Sequence, residues 1–129
     1  SQETPAGHEF VLVSYRSAAG ELVPPLTGTQ LSMTLGLDGQ IGGNGGCNQY
    51  SSSYQLETAS PEGARGSGTL TIAPSAATEM FCAEPIGLMD QEAQYLITLP
   101  AAAAYQMEAG QLTVFDGAGN PVAIYVMVR

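Results

Sequence analysis

The chain has 129 residues, 16 of them glycine and 8 proline, and sets twelve carboxylates against three arginines and no lysine, a formal net charge of −9. That length is one domain's worth, and no apolar run approaches the roughly 20 residues that a membrane-crossing helix needs. Arg16, Arg65 and Arg129 stand far apart in sequence, so nucleic acid and anionic membrane surfaces, which demand clustered cations, are disfavoured as partners.

Ser1–Gly7 is polar and reads as a linker remnant ahead of a single domain over 8–129. No signal peptide opens the chain, so an exported protein would have shed its leader or lipid anchor ahead of Ser1. Phe10-Val11-Leu12-Val13-Ser14-Tyr15 is β-branched and aromatic, a strand whose unbroken apolarity predicts cover on both faces. Residues 20–28, with Pro24 and Pro25, read as a loop. From Gln30 the pattern alternates, with Leu31, Met33, Leu35 and Leu37 on one face, and Asp38-Gly39 is a hairpin signal leading into Gln40–Gly43. Tyr50, Ser52, Tyr54 and Leu56 mark the next strand, 58–68 a surface loop, and Thr69–Ala73 a short strand stopped by Pro74. Glu84-Pro85 suits the opening of a helix over about 85–99, with Ile86, Met89, Ala93, Leu96 and Leu99 on its buried face, Asp90, Gln91 and Gln94 largely elsewhere, and Pro100 as its stop. Three strands follow, Ala104–Glu108, Gln111–Phe115 and Val122–Val128, the last apolar on both faces and therefore central. The expected architecture is mainly β: a strongly bent antiparallel sheet or partly closed barrel of about seven or eight strands with one helix over one end.

Cys47 and Cys82 fit one disulfide in an oxidising compartment or two free thiols in a reducing one. The glycine-rich run 42–48 reads as a sharp turn rather than an anion cradle, since it lacks the lysine and following helix of a P-loop. Cys47, His8 and Asn48 superficially form a thiol-protease set, but His8 sits at the edge of the linker. Glu79, Glu84, Asp90 and Glu92 lie close enough in sequence to suggest a glycosidase pair; solvated carboxylates, with Glu92 hydrogen-bonding locally, are the plainer reading. One histidine and two cysteines make no zinc site without carboxylate help. Asp116–Asn120 lacks the spacing and terminal glutamate of a calcium loop and reads as a hairpin turn. A bent sheet could still hold an apolar ligand among Leu31, Met33, Leu35, Met89, Leu96, Ile124 and Val126, although these residues equally fill a core.

Gly43-Asn44-Gly45-Gly46-Cys47-Asn48-Gln49-Tyr50 resembles the G-x-x-G-C-N-x-Y signature of the META domain, the family of the bacterial heat-shock protein HslJ. Thr78, Met80 and Cys82 match its T-x-M-x-C segment, and Glu92 with Tyr95, Leu96 and Leu99 follows its helix. Tyr105 and Leu112 continue the pattern, which keeps its order and spacing from about residue 8 to the end. Phe10 stands where the family often has tryptophan. The resemblance strengthens the case for a Cys47–Cys82 disulfide and implies a β-barrel-like fold with a helix. It also implies an extracytoplasmic setting in the cell envelope or secreted, frequently as a lipoprotein or part of a larger surface protein, and links to heat shock. The expected function is a non-catalytic structural or protein-interaction module with no cofactor, an unnamed protein partner or none, and membrane proximity only through an anchor. The alternative is a carrier of apolar ligand or lipid in the barrel interior.

Overall fold

The alternating segments pair into one antiparallel sheet that closes on itself. The structure, a computed structural model, describes residues 4–58 and 66–128. Most of the expected 58–68 loop with Arg65, the first three residues of the expected linker, and Arg129 therefore lie outside the described residues. In chain order the strands are β1 (Glu9–Arg16), β2 (Leu22–Val23), β3 (Ser32–Leu35), β4 (Gln40–Asn44), β5 (Gln49–Thr58), β6 (Ser67–Ile72) and β7 (Ala76–Ala77). The helix α1 (Leu88–Thr98) precedes β8 (Ala104–Glu108), β9 (Gln111–Phe115) and β10 (Pro121–Met127). Neighbours run β10-β9-β8-β6-β5-β4-β3-β1, and β1 pairs back onto β10, so eight strands form a closed barrel. Closure leaves these strands no long free edge. The short β2 and β7, in stretches not expected to be strands, pair with β1 and β5 as additions.

The period-two pattern sets which side chains go in. Leu31, Met33 and Leu35 are fully buried, and Leu35 pairs with Ile41 across the hairpin whose turn Asp38 closes by accepting the Gln40 N–H (3.1 Å). Phe10, Leu70, Leu112, Val114, Val122 and three tyrosines, Tyr95, Tyr105 and Tyr125, fill the rest of the interior. The barrel lumen is thus occupied by side chains where the carrier reading expects a cavity. Two of the expected lining residues, Ile124 and Val126, alternate with inward Tyr125 and so stand on the outer side of β10. The last strand is central, being paired on both edges, but its outer face is partly open, as is that of β1, where Val13 is exposed at a bulge between Leu12 and Ser14. Leu37 departs from its expected face: the strand ends at Leu35, and Leu37 sits in the turn, 85% exposed.

The helix differs most from expectation. Residues 84–87 are not helical; Gly87, at φ 90°, is the N-cap and α1 begins at Leu88. The buried stripe is Leu88, Gln91, Glu92, Tyr95 and Thr98, then Leu99, while Ile86 and Ala93 are exposed and Met89 and Leu96 half-buried. Two polar side chains turn inward because partners wait for them. Gln91 takes the Leu26 N–H on its Oε1 (2.7 Å) and reaches Thr29 Oγ1 with Nε2 (3.2 Å), tying the 24–29 loop to the helix. Pro100 lies in a 3₁₀ turn, Leu99–Ala101, that follows the helix. Ahead of β1, Pro5 is buried and the Gly7 N–H donates to Leu35 O (2.6 Å).

Candidate functional site

The β4–β5 connection, residues 45–48, meets the segment 78–82 and the inner side of α1. The turn is pinned locally by Gly45 N–H to Asn48 O (2.8 Å) and Gly46 N–H to Asn44 Oδ1 (2.7 Å). Gly46 has φ +111°, which an L side chain rarely adopts, and a Cβ there would come within 2.8 Å of Leu88. Gly43 is required for another reason: a Cβ on it would run 2.2 Å from Ser32 O and into the Tyr50 ring.

Beyond the turn, the Glu92 carboxylate is buried and accepts three hydrogen bonds. Its Oε2 takes the N–H groups of Cys47 (2.9 Å) and Asn48 (2.6 Å), and its Oε1 takes the Asn48 side-chain amide (2.7 Å). No arginine or lysine is needed to hold it; aligned N–H donors do so. Asn48 spends its carboxamide on both sides. Its Oδ1 accepts from Thr78 Oγ1 (2.8 Å) and the Met80 N–H (2.6 Å), and Nδ2 also donates to Met80 O (3.1 Å). One side chain thereby pairs with both main-chain groups of Met80, as a neighbouring strand residue would. The Cys47–Cys82 disulfide, with Cα atoms 5.9 Å apart, closes the clasp covalently. Held this way, the segment turns Met80 (57% exposed) and Phe81 (78% exposed) into solvent.

Tyr50 carries the same cluster into the barrel. Its hydroxyl donates to Ser32 O (2.8 Å), so with its one proton spent it accepts from Tyr95 (2.8 Å), which in turn accepts from Tyr125 (2.8 Å). Burial pushes all three phenols above their ordinary range, most strongly Tyr95 and Tyr125. All nine motif positions thus belong to one construction: Gly43, Gly46, Cys47, Asn48, Tyr50, Thr78, Met80, Cys82 and Glu92. The extension through Tyr95 and Tyr125 was not expected from the sequence, although the spacing 88, 91/92, 95, 98/99 is itself a helical stripe that would have pointed Tyr95 inward.

The other chemistry weighed from sequence disperses. The Cys47 sulfur is bonded to Cys82, and His8 is exposed just ahead of β1, its ring in an edge contact with Phe10. Glu79, Glu84 and Asp90 are exposed, and Glu92 is committed as above. Asp116 serves its turn: Oδ1 accepts from Ala118 and Asn120 N–H (3.0 and 2.9 Å), and Oδ2 pairs with Arg16 (2.9 Å). Among the described residues no group of three or more His, Cys, Asp or Glu is placed to hold a metal, and no helix is long and apolar enough to cross a membrane.

Residues 3–127 match the family model described as the META domain. No curated protein is matched with significance. Among solved structures, a protein determined by NMR is 26% identical at a TM-score of 0.61, covering 94% of this chain and 89% of the other. A crystal structure of a DUF4847 family protein from Bacteroides vulgatus is 11% identical at a TM-score of 0.57, covering 93% of this chain and 92% of that one, a likeness of fold.

Proposed function

The chain belongs to the META domain family, and we propose that it is a non-catalytic module of the cell envelope or of secreted proteins, acting through protein–protein contact. The observation that carries this is the clasp. Its motif side chains are spent on holding 78–82, and what the held segment offers outward is apolar: Met80 and Phe81, with Ile86 exposed just beyond. Large apolar side chains fixed in solvent on a braced backbone are the usual anchors of protein contacts. Their carboxylate neighbours Glu79 and Glu84 favour a partner with basic groups around an apolar centre. The disulfide supports an oxidising compartment. It also supports a role under stress, since a covalent tie keeps the module folded when heat or unfolding agents act on it.

Two measurements test this. A photo-crosslinking amino acid in place of Phe81 should give a discrete adduct in the source cells, while one in place of exposed Gln55 on β5 should not. No adduct at position 81, or equal labelling at both, overturns the contact reading. Thiol trapping in the same cells should find both cysteines protected until reductant is added, and ready alkylation of both would remove the extracytoplasmic assignment.

A further inference from the structure

α1 has a second face that the barrel leaves largely uncovered. Gly87, Asp90, Gln94 and Ile97 follow one another at three- and four-residue spacing along it, and Ile97 is 71% exposed. This face forms one wall of a groove of about 630 Å³, whose other wall is Tyr15, Val23 and Leu26 from β1, β2 and the loop after them. The walls are braced. Gln91 ties Leu26 and Thr29 to the helix, and Gln94 Nε2 reaches Arg16 O (3.4 Å). Tyr15 is only 7% exposed and packs edge-on against Tyr95 (6.4 Å between ring centroids), yet its hydroxyl has no hydrogen-bond partner among the described residues. Tyr15 lines the groove, so an acceptor on an occupant can take the place of water at its O–H. Asp90 is exposed, is the one charged side chain lining the groove, and has no ion-pair partner among the described residues.

We infer that this groove takes an apolar peptide segment of a partner protein bearing a lysine or arginine. Its aliphatic side chains lie on Val23, Leu26 and Ile97, its cation reaches Asp90, and a main-chain carbonyl accepts from the Tyr15 hydroxyl. The groove is open along one side. A free small ligand wants most of its surface enclosed, whereas a segment of a larger chain brings its own cover. The charge argument is direct: the one carboxylate lining a mainly apolar groove, on a chain of net charge −9, favours a cationic occupant. The inference rests on the protein-contact reading and adds a second surface with a stated partner chemistry.

The test is selection of a random heptapeptide phage library on the intact, oxidised protein. Selected peptides should combine aliphatic residues with lysine or arginine and shift the amide resonances of Val23, Gln94 and Ile97. Ala93→Arg, an exposed helical substitution that α1 tolerates, should cut their affinity more than tenfold by filling the groove. Asp90→Asn should cost roughly threefold, and Tyr15→Phe about three- to tenfold with the fold retained. Failure to select groove-dependent binders overturns the inference, as do peptides without basic enrichment or with undiminished binding to the Ala93→Arg variant. Resonance shifts in the groove with dodecylamine but with no peptide would assign it to a small cationic amphiphile instead. A concentration-dependent rise in sedimentation coefficient abolished by Ala93→Arg would assign it to a second copy. Because the adduct at position 81 reads a different surface, an adduct there together with no groove-dependent binders would show that the groove has failed and the contact reading has not.

Discussion

Glu92→Gln changes almost no volume, and its effect follows from counting protons in the clasp. Glu92 receives three N–H donors, two on Oε2 and one on Oε1. Glutamine has one oxygen to offer. If that oxygen faces Cys47 and Asn48 N–H, the new amide points its own protons at Asn48 Nδ2. Asn48 cannot flip to relieve this, because its Oδ1 is already receiving the Met80 N–H (2.6 Å) and a flip would set donor against donor there. One hydrogen bond to a charged group is therefore lost, worth about 1.5–3 kcal/mol, and the two that remain fall to the neutral value of about 1 kcal/mol each. Removing a buried charge offsets part of this. The expected net cost is about 3 kcal/mol, a fall of roughly 1.5–2 M in the urea midpoint at an ordinary slope for a chain of this size. Urea titration followed by tyrosine fluorescence measures it. In the double variant with Asn48→Asp, the new carboxylate can accept from the glutamine amide, so the two costs should sum to less than the parts by about 1 kcal/mol. A single-variant cost below about 0.5 kcal/mol, or strict additivity, would refute the proton count.

The disulfide joins residues 35 apart, so replacing both cysteines by alanine should cost about 4 kcal/mol by loop-closure entropy and lower the melting temperature markedly; calorimetry in oxidised and variant forms decides it. Tyr95→Phe leaves the Tyr125 hydroxyl without its acceptor and Tyr50 without its donor, an expected loss of about 1–3 kcal/mol in denaturant titration. Because burial raises the folded pKa values of Tyr50, Tyr95 and Tyr125, their contribution is intact below about pH 10 and is lost as the unfolded phenols ionise above it. Ultraviolet titration should show these three ionising only together with unfolding. Asp116 is held below its usual range, first by the Asn120 N–H and further by Arg16, against a partial opposing effect of burial. Its contribution is present above the unfolded carboxylate value of about 3.9 and is lost as pH falls through the folded one. Asp116→Asn should therefore be less stable than the parent near neutrality, and the two curves should converge in acid.

The barrel strands were legible where alternation was clean. Met33 and Leu35 had no other side to go to, and Asp38-Gly39 marked the turn between their strand and the next. Leu37 was misplaced because alternation continues in the letters after the chain has begun to turn. The helix phase was misread for a different reason: Ile86, Met89, Ala93 and Leu96 form a convincing apolar stripe, and only partners on remote segments decide that Gln91 and Glu92 face inward instead. Leu26, Thr29, Cys47 and Asn48 are those partners, between 44 and 65 residues away in sequence for the bonds concerned. The motif residues were picked out by family resemblance, yet what Asn48 does with Met80 could not be read from them, since pairing between a side chain and a distant main chain leaves no periodic trace. The same holds for the tyrosine chain. Three hydroxyls from β5, α1 and β10 become neighbours only when the barrel has closed.

The bridge between Cys47 and Cys82 makes β5, β6 and β7 part of a covalent ring. A protease that cuts once anywhere between those two positions opens the ring but releases no fragment. The nicked molecule gains only the water of hydrolysis, and its halves part only when reductant is added. Outside the cell, where hydrolases are common and thiols scarce, such a ring lets a domain lose a peptide bond without losing a piece of itself.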